Sequence, residues 1–66
     1  MQVTVNGAAL DLAEGTTVED VVAARLEDQR RVAVARNGEV VPRSAWPATA
    51  LSTGDAVEVL VAAAGG

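Results

Sequence analysis

The 66-residue sequence contains no cysteine, histidine, lysine or tyrosine, and its only aromatic residue is Trp46. Without cysteine there is no disulfide and no thiolate zinc site to support so small a domain. Without histidine the usual general base near neutral pH is missing. Without cysteine or lysine, covalent catalysis would have to use hydroxyls or carboxylates that lack the usual activating neighbours. These absences together argue against an enzyme. The five basic residues are all arginine, at positions 25, 30, 31, 36 and 43. A net charge of −4 disfavours phosphate binding, and one aromatic ring offers little for bases to stack on, so nucleic acid is not an expected partner. No apolar run approaches the roughly 20 residues of a membrane span. The opening Met1-Gln2-Val3-Thr4-Val5-Asn6 has no basic region followed by a long apolar one, so no secretion signal is expected. The expected compartment is the cytoplasm.

What is present is a set of short, strongly patterned segments. Half of the residues are hydrophobic, enough for one small domain to fold. Met1, Val3 and Val5 alternate with Gln2, Thr4 and Asn6, the period of a strand with one buried face. Asn6-Gly7 predicts a tight hairpin turn, because both residues tolerate positive φ. Residues 8–12 return as a second strand with Leu10 and Leu12 toward the core. Thr16-x-x-Glu19 forms a capping-box pattern, and Thr17 with Asp20 offers the same pattern one residue later. Val18, Val21, Val22 and Leu26 recur at helical spacing, which predicts an amphipathic helix over about residues 17–29. Acids in its first turn and arginines near its end suit the helix dipole.

Residues 32–36 predict a third strand, Asn37-Gly38 a second hairpin turn, and residues 39–41 a fourth strand. Pro42 ends that strand or marks a sheet edge. Residues 43–50 read as a loop or a short helical turn, and Thr53-Gly54-Asp55 as a turn. Val57, Val59 and Val61 alternate with Glu58, Leu60 and Ala62 in the last strand, with the valines expected in the core and Leu60 outside. Residues 1–62 are then one α+β domain, and 63–66 a loose tail. The order strand, strand, helix, strand, strand, strand, with one helix across a mixed sheet of four to five strands, is the β-grasp arrangement.

That order, the length and the closing Gly65-Gly66 resemble the ubiquitin-like sulfur carriers. The branch it most resembles is the thiamine-biosynthesis sulfur carrier family. The residues that carry the resemblance are Met1 to Gly7, Gly15-Thr16-Thr17-Val18, and the stretch from Val34 through Asn37-Gly38-Glu39-Val40-Val41-Pro42-Arg43 to Trp46. Leu51-x-x-Gly54-Asp55-x-Val57-Glu58 and the terminal glycines complete it. The alanine-rich approach 61–64 departs from the pattern without changing the reading. The resemblance implies a cycle. A partner adenylating enzyme of the ubiquitin-activating type, using ATP and magnesium, converts the Gly66 carboxylate to an acyl-adenylate. A sulfur donor replaces the adenylate and leaves a thiocarboxylate. Thiazole synthase takes the sulfur to build the thiazole ring. In this cycle the chain binds no cofactor, and it is expected to be a monomer when free.

The chemistry agrees with that role. A carboxylate is a poor acyl donor until adenylation supplies a leaving group. Gly66 has no Cβ beside the attacked carbon, and Gly65 accepts backbone angles closed to other residues. Residues Ala63, Ala64, Gly65 and Gly66, extended, reach roughly 13 Å into a partner site. With no cysteine, a side-chain persulfide is excluded. With no lysine, the chain has no internal acceptor for isopeptide-linked chains of itself. Leu60 is a candidate docking residue beside the tail, and Arg43 is either a contact for a partner carboxylate or part of a local salt bridge. Trp46 reads as packing. The scattered acids read as solvated surface, with steering of a basic partner as a secondary reading. Carriers that serve molybdopterin or cysteine synthesis share the terminal chemistry. A ubiquitin-like protein modifier is the alternative from another class.

Overall fold

A computed structural model describes residues 1–26 and 30–61 of the chain. Among these residues are five strands and one α-helix, with a 3-10 turn before the last strand. They are β1 (Gln2–Val5), β2 (Ala8–Asp11), α1 (Val18–Arg25), β3 (Val32–Arg36), β4 (Glu39–Val41), the 3-10 turn Arg43–Ala48, and β5 (Ala56–Val61). The strands form one mixed sheet in the order β2-β1-β5-β3-β4. β5, last in sequence, runs through the centre, parallel to β1 and antiparallel to β3. This is the β-grasp topology expected from the element order. Among the described residues no helix is long and apolar enough to cross a membrane.

Both Asn-Gly turns form as their sequence predicts. Asn6 and Gly7 take φ of 50° and 82°, and Asn37 and Gly38 take 51° and 84°. No atom lies within 4 Å of where a Cβ would stand on Gly7 or Gly38. Glycine is therefore required at these turns by the positive φ and not by space.

The helix begins on the second of the two capping patterns. The Thr17 hydroxyl accepts the Asp20 N–H at 3.2 Å, and the Asp20 carboxylate accepts the Thr17 N–H at 2.9 Å. Thr16 is committed elsewhere: its hydroxyl donates to the Ala13 carbonyl, and its own carbonyl accepts from Leu51. The helix ends earlier than its apolar spacing predicts. Arg25 is its last residue, and Leu26 is extended, with φ −136° and ψ 131°. Leu26 still packs against the core from that extended position, so the i, i+4 stripe continues while the helix does not. The rest of the expected helix, residues 27–29, lies outside the described residues.

The core lies between α1 and the inner face of the sheet. Its most deeply buried side chains are six valines at positions 3, 5, 18, 22, 34 and 57. Each contributes about 1.5–3 kcal/mol by leaving water. Valine is short, and the remaining depth is filled from the flank by Leu51 and Trp46. Trp46 sits in the 3-10 turn, 2% exposed, and its Nε1–H donates to the Val41 carbonyl at 3.0 Å. Its ring therefore packs the core while its polar atom closes the end of β4. Pro42, directly after β4, both ends that strand and stands on the sheet edge.

Candidate functional site

The expected working end of the chain continues from β5. Ala63, Ala64, Gly65 and Gly66 lie outside the described residues, so the structure bears on what leads up to them. β5 is anchored on both sides up to Val59. On one side β3 pairs with it from Arg36↔Val57 to Val32↔Val61. On the other side β1 pairs only through Thr4↔Ala56 and Val5↔Val57, and the Asn6 N–H then donates to the Val57 carbonyl at 2.9 Å. The strand thus outruns β1 before the tail begins.

Val61 departs from expectation. It was expected in the core with Val57 and Val59, yet it is 59% exposed. Alternation does bring it to the helix side of the sheet. However, α1 stops at Arg25, and the sheet beyond is uncovered. A cleft of about 340 Å³ opens there, lined by Asn6, Arg25, Leu26, Val59 and Val61.

Leu60 points to the opposite, outer face and is 61% exposed. Register places Ala33 beside it, and places Ala35 between Glu58 and Val40. Val40 is 77% exposed. The outer face is thus a floor of small residues (Ala33, Ala35, Ala56, Thr4) with Leu60 and Val40 standing on it. Glu58 lies between them, and Asp11 is on the same face at the β2 edge. Sequence reading overlooked Val40. The signal was available, since two adjacent valines in a strand cannot both face the core.

Arg43 lies on the other side of the sheet. Its guanidinium carbon stands 4.6 Å from the centroid of the buried Trp46 ring, a cation–π contact. The two candidate docking residues do not share a face.

At the far end of β5, Asp55 is a buried carboxylate that sequence reading took for a solvated turn residue. It accepts from Arg36 Nε at 2.8 Å, Asn37 Nδ2 at 2.9 Å and the Ser52 N–H at 2.8 Å. Burial is the largest single influence on this carboxyl and raises its pKa. The hydrogen bonds from Asn37, Arg36 and Ser52, with the Arg36 charge, together outweigh it and hold the pKa below its ordinary value. Asp55 fixes the start of the strand that ends at the tail.

Residues 3–66 match the sequence model of the ThiS family. The chain belongs to the ThiS family. A crystal structure of the thiamine biosynthesis protein ThiS from Geobacter metallireducens matches it with a TM-score of 0.84 at 39% identity, covering all of both chains. A solution structure of a thiamine biosynthesis protein from the same organism matches at 0.80 and 40% identity, covering all of this chain and 88% of that one. Over all 66 residues the chain is also 35% identical to a protein named thiazole synthase from Paramagnetospirillum magneticum. It spans 20% of the length of that relative. Leu60 and the cleft thus lie at the end of the domain from which residues 62–66 continue, while Val40 stands further back along β5, level with Glu58.

Proposed function

We propose that this chain is the sulfur carrier for thiazole formation in thiamine biosynthesis, with Gly66 as the residue that carries the sulfur. The observation that supports this most is the match to a ThiS structure over the full length of both chains at 39% identity. The chain is then the substrate of other proteins and not a catalyst. One oxygen of the Gly66 carboxylate attacks the α-phosphorus of ATP in a partner adenylating enzyme, and pyrophosphate leaves. Hydrosulfide, supplied by a sulfur donor, then attacks the acyl carbon, AMP leaves, and loss of the S–H proton gives the thiocarboxylate. ATP and magnesium are held by the partner. The second partner is a thiazole synthase, to which the thiocarboxylate delivers its sulfur. The relative that carries a similar segment within a longer thiazole synthase favours this partner over a molybdopterin or cysteine pathway. The cytoplasm is the compartment for this exchange.

The docking surface in this reading is the outer face around Leu60 and Val40, continuous along β5 with residues 63–66, which thread into each partner. Arg43, stacked on Trp46, serves the fold first.

Intact mass of the protein isolated from its native host tests the assignment. One oxygen-to-sulfur exchange at Gly66 supports it, and higher-mass conjugates point to a modifier instead. Deleting Gly66 should abolish sulfur delivery with the fold unchanged. Supplied thiazole should restore growth to a deletion strain; a further nutrient requirement would reassign the acceptor.

A further inference from the structure

The five arginines divide by position. Arg36 pairs with Asp55, and Arg43 lies over Trp46. Arg25, Arg30 and Arg31 belong to the end of the domain where β5 gives way to the tail. Arg25 is the last helical residue and lines the cleft with Val59 and Val61. Arg30 and Arg31 lead straight into β3, whose first residue, Val32, pairs with Val61. All three are exposed. Arg25 and Arg31 have no ion-pair or hydrogen-bond partner among the described residues.

Of the nine acids, Glu27 and Asp28 lie between these arginines in sequence, Glu58 is within β5, Asp55 pairs with Arg36, and five sit elsewhere. Asp11 lies opposite Gln2, at the start of β1. Glu14 follows in the next loop, Glu19 and Asp20 occupy the first turn of α1, and Glu39 lies opposite Arg36. All of these are at the end away from the tail. The chain as a whole has a net charge of −4, yet the stretch 25–31 holds three arginines against Glu27 and Asp28. Charge is unevenly distributed along the direction of β5: the side chains of 25–31 sum to +1, which the terminal carboxylate offsets, and the other side chains carry the remaining −5.

We infer that Arg25, Arg30 and Arg31 form a cationic collar at the root of the tail, which docks on carboxylates around the mouth of the partner enzyme's active site. The inference rests on the sulfur-carrier reading and adds the chemistry of the partner surface. Tail length identifies that surface. Residues 62–66 span at most about 17 Å when extended. Gly66 must touch the nucleotide for adenylation, so with the tail extended into the site the collar stands outside and meets protein, not phosphate. Net negative charge on the carrier repels an acidic partner as a whole, so the end where arginines offset the acids is the one that approaches it most readily, which orients the carrier tail-first. Exposed arginines of this kind act mainly on association rate and register, and little on the lifetime of the complex.

The test uses the full chain and the adenylating enzyme of the same host. Arg25→Ala, Arg31→Ala and the double variant are compared with Thr53→Asp, which lowers net charge by the same amount as one arginine removal but at the acidic end. Association is followed by stopped flow at low and high salt, acyl-adenylate by mass, and folding by Trp46 emission. Each arginine variant should associate about threefold more slowly in low salt and the double variant about tenfold, with the differences vanishing near 0.5 M salt. Thr53→Asp should stay within about twofold of wild type. A double variant that associates at the wild-type rate overturns the collar, as does equal slowing by Thr53→Asp. Wild-type chain that is never adenylated overturns the sulfur-carrier reading itself, and the collar with it.

Discussion

Asn6 pairs its side-chain amide with the backbone of Val59: Nδ2 donates to the Val59 carbonyl at 3.1 Å, and Oδ1 accepts the Val59 N–H at 2.8 Å. The side chain thereby takes the place of the next residue of β1. The chain turns away at Asn6-Gly7, yet the ladder along β5 continues one step further. A single residue supplies the positive φ of the hairpin and also holds the central strand where it approaches the tail.

Asn6→Gly separates these two roles. Glycine keeps the turn, because φ of 50° suits it, and removes both hydrogen bonds. The expected loss of stability is about 1–2 kcal/mol, measured by denaturant unfolding. Native-state hydrogen exchange should speed up at the Val59 amide, while Val57, bonded to Asn6 through its carbonyl, should change little. Uniform acceleration along β5 would show that the amide holds the whole strand and not its end.

Asp55 predicts a pH dependence. Its carboxyl has a pKa below its ordinary value in the folded protein, so the unfolded chain takes up a proton first as pH falls. The stabilisation is complete above the unfolded value, near 3.9. It drains away as pH drops toward the lower folded value. Asp55→Asn should flatten that part of the stability profile. It should also cost about 2–3 kcal/mol at neutral pH, because an amide nitrogen would face the donors of Arg36 or Ser52. Chemical denaturation of both proteins across this acid range provides the measurement; parallel profiles would place the acid sensitivity on another carboxyl.

The strands and both hairpins were legible because their information is local. Period-two alternation and Asn-Gly need no knowledge of distant residues. The start of α1 was legible only to within one residue. Thr16 and Thr17 have equivalent patterns, and the choice is made by Thr17 bridging to Ala50, a contact far along the chain. Asp55 was misread for the same reason, since its side-chain partners Arg36 and Asn37 are 19 and 18 residues away. Val61 was misread because strand alternation gives the side of the sheet but not whether anything covers it. The short helix leaves it uncovered. At the candidate site, Leu60 on the outer face followed from the same alternation, whereas Val40 beside the same floor required the β3–β4 register. The placement of the arginines emerged only from the sheet order.

Leu60 and Val40 yield the sharpest prediction about docking. Both project from the outer face, and neither contributes to the buried core. Leu60→Glu and Val40→Glu should leave stability within about 0.5 kcal/mol of wild type, as surface changes generally do. If the outer face seats the partner, a buried charge there lacks a counterion, and adenylation at limiting carrier should fall by about tenfold or more. Raising salt should not rescue it, because the loss is desolvation and packing at the centre of an interface. That separates this face from the arginine collar, whose effect salt erases. Unchanged kinetics in both glutamate variants would move the docking surface off the outer face and leave the end of the domain around Arg25 and Val61 as the place where the partner holds the carrier.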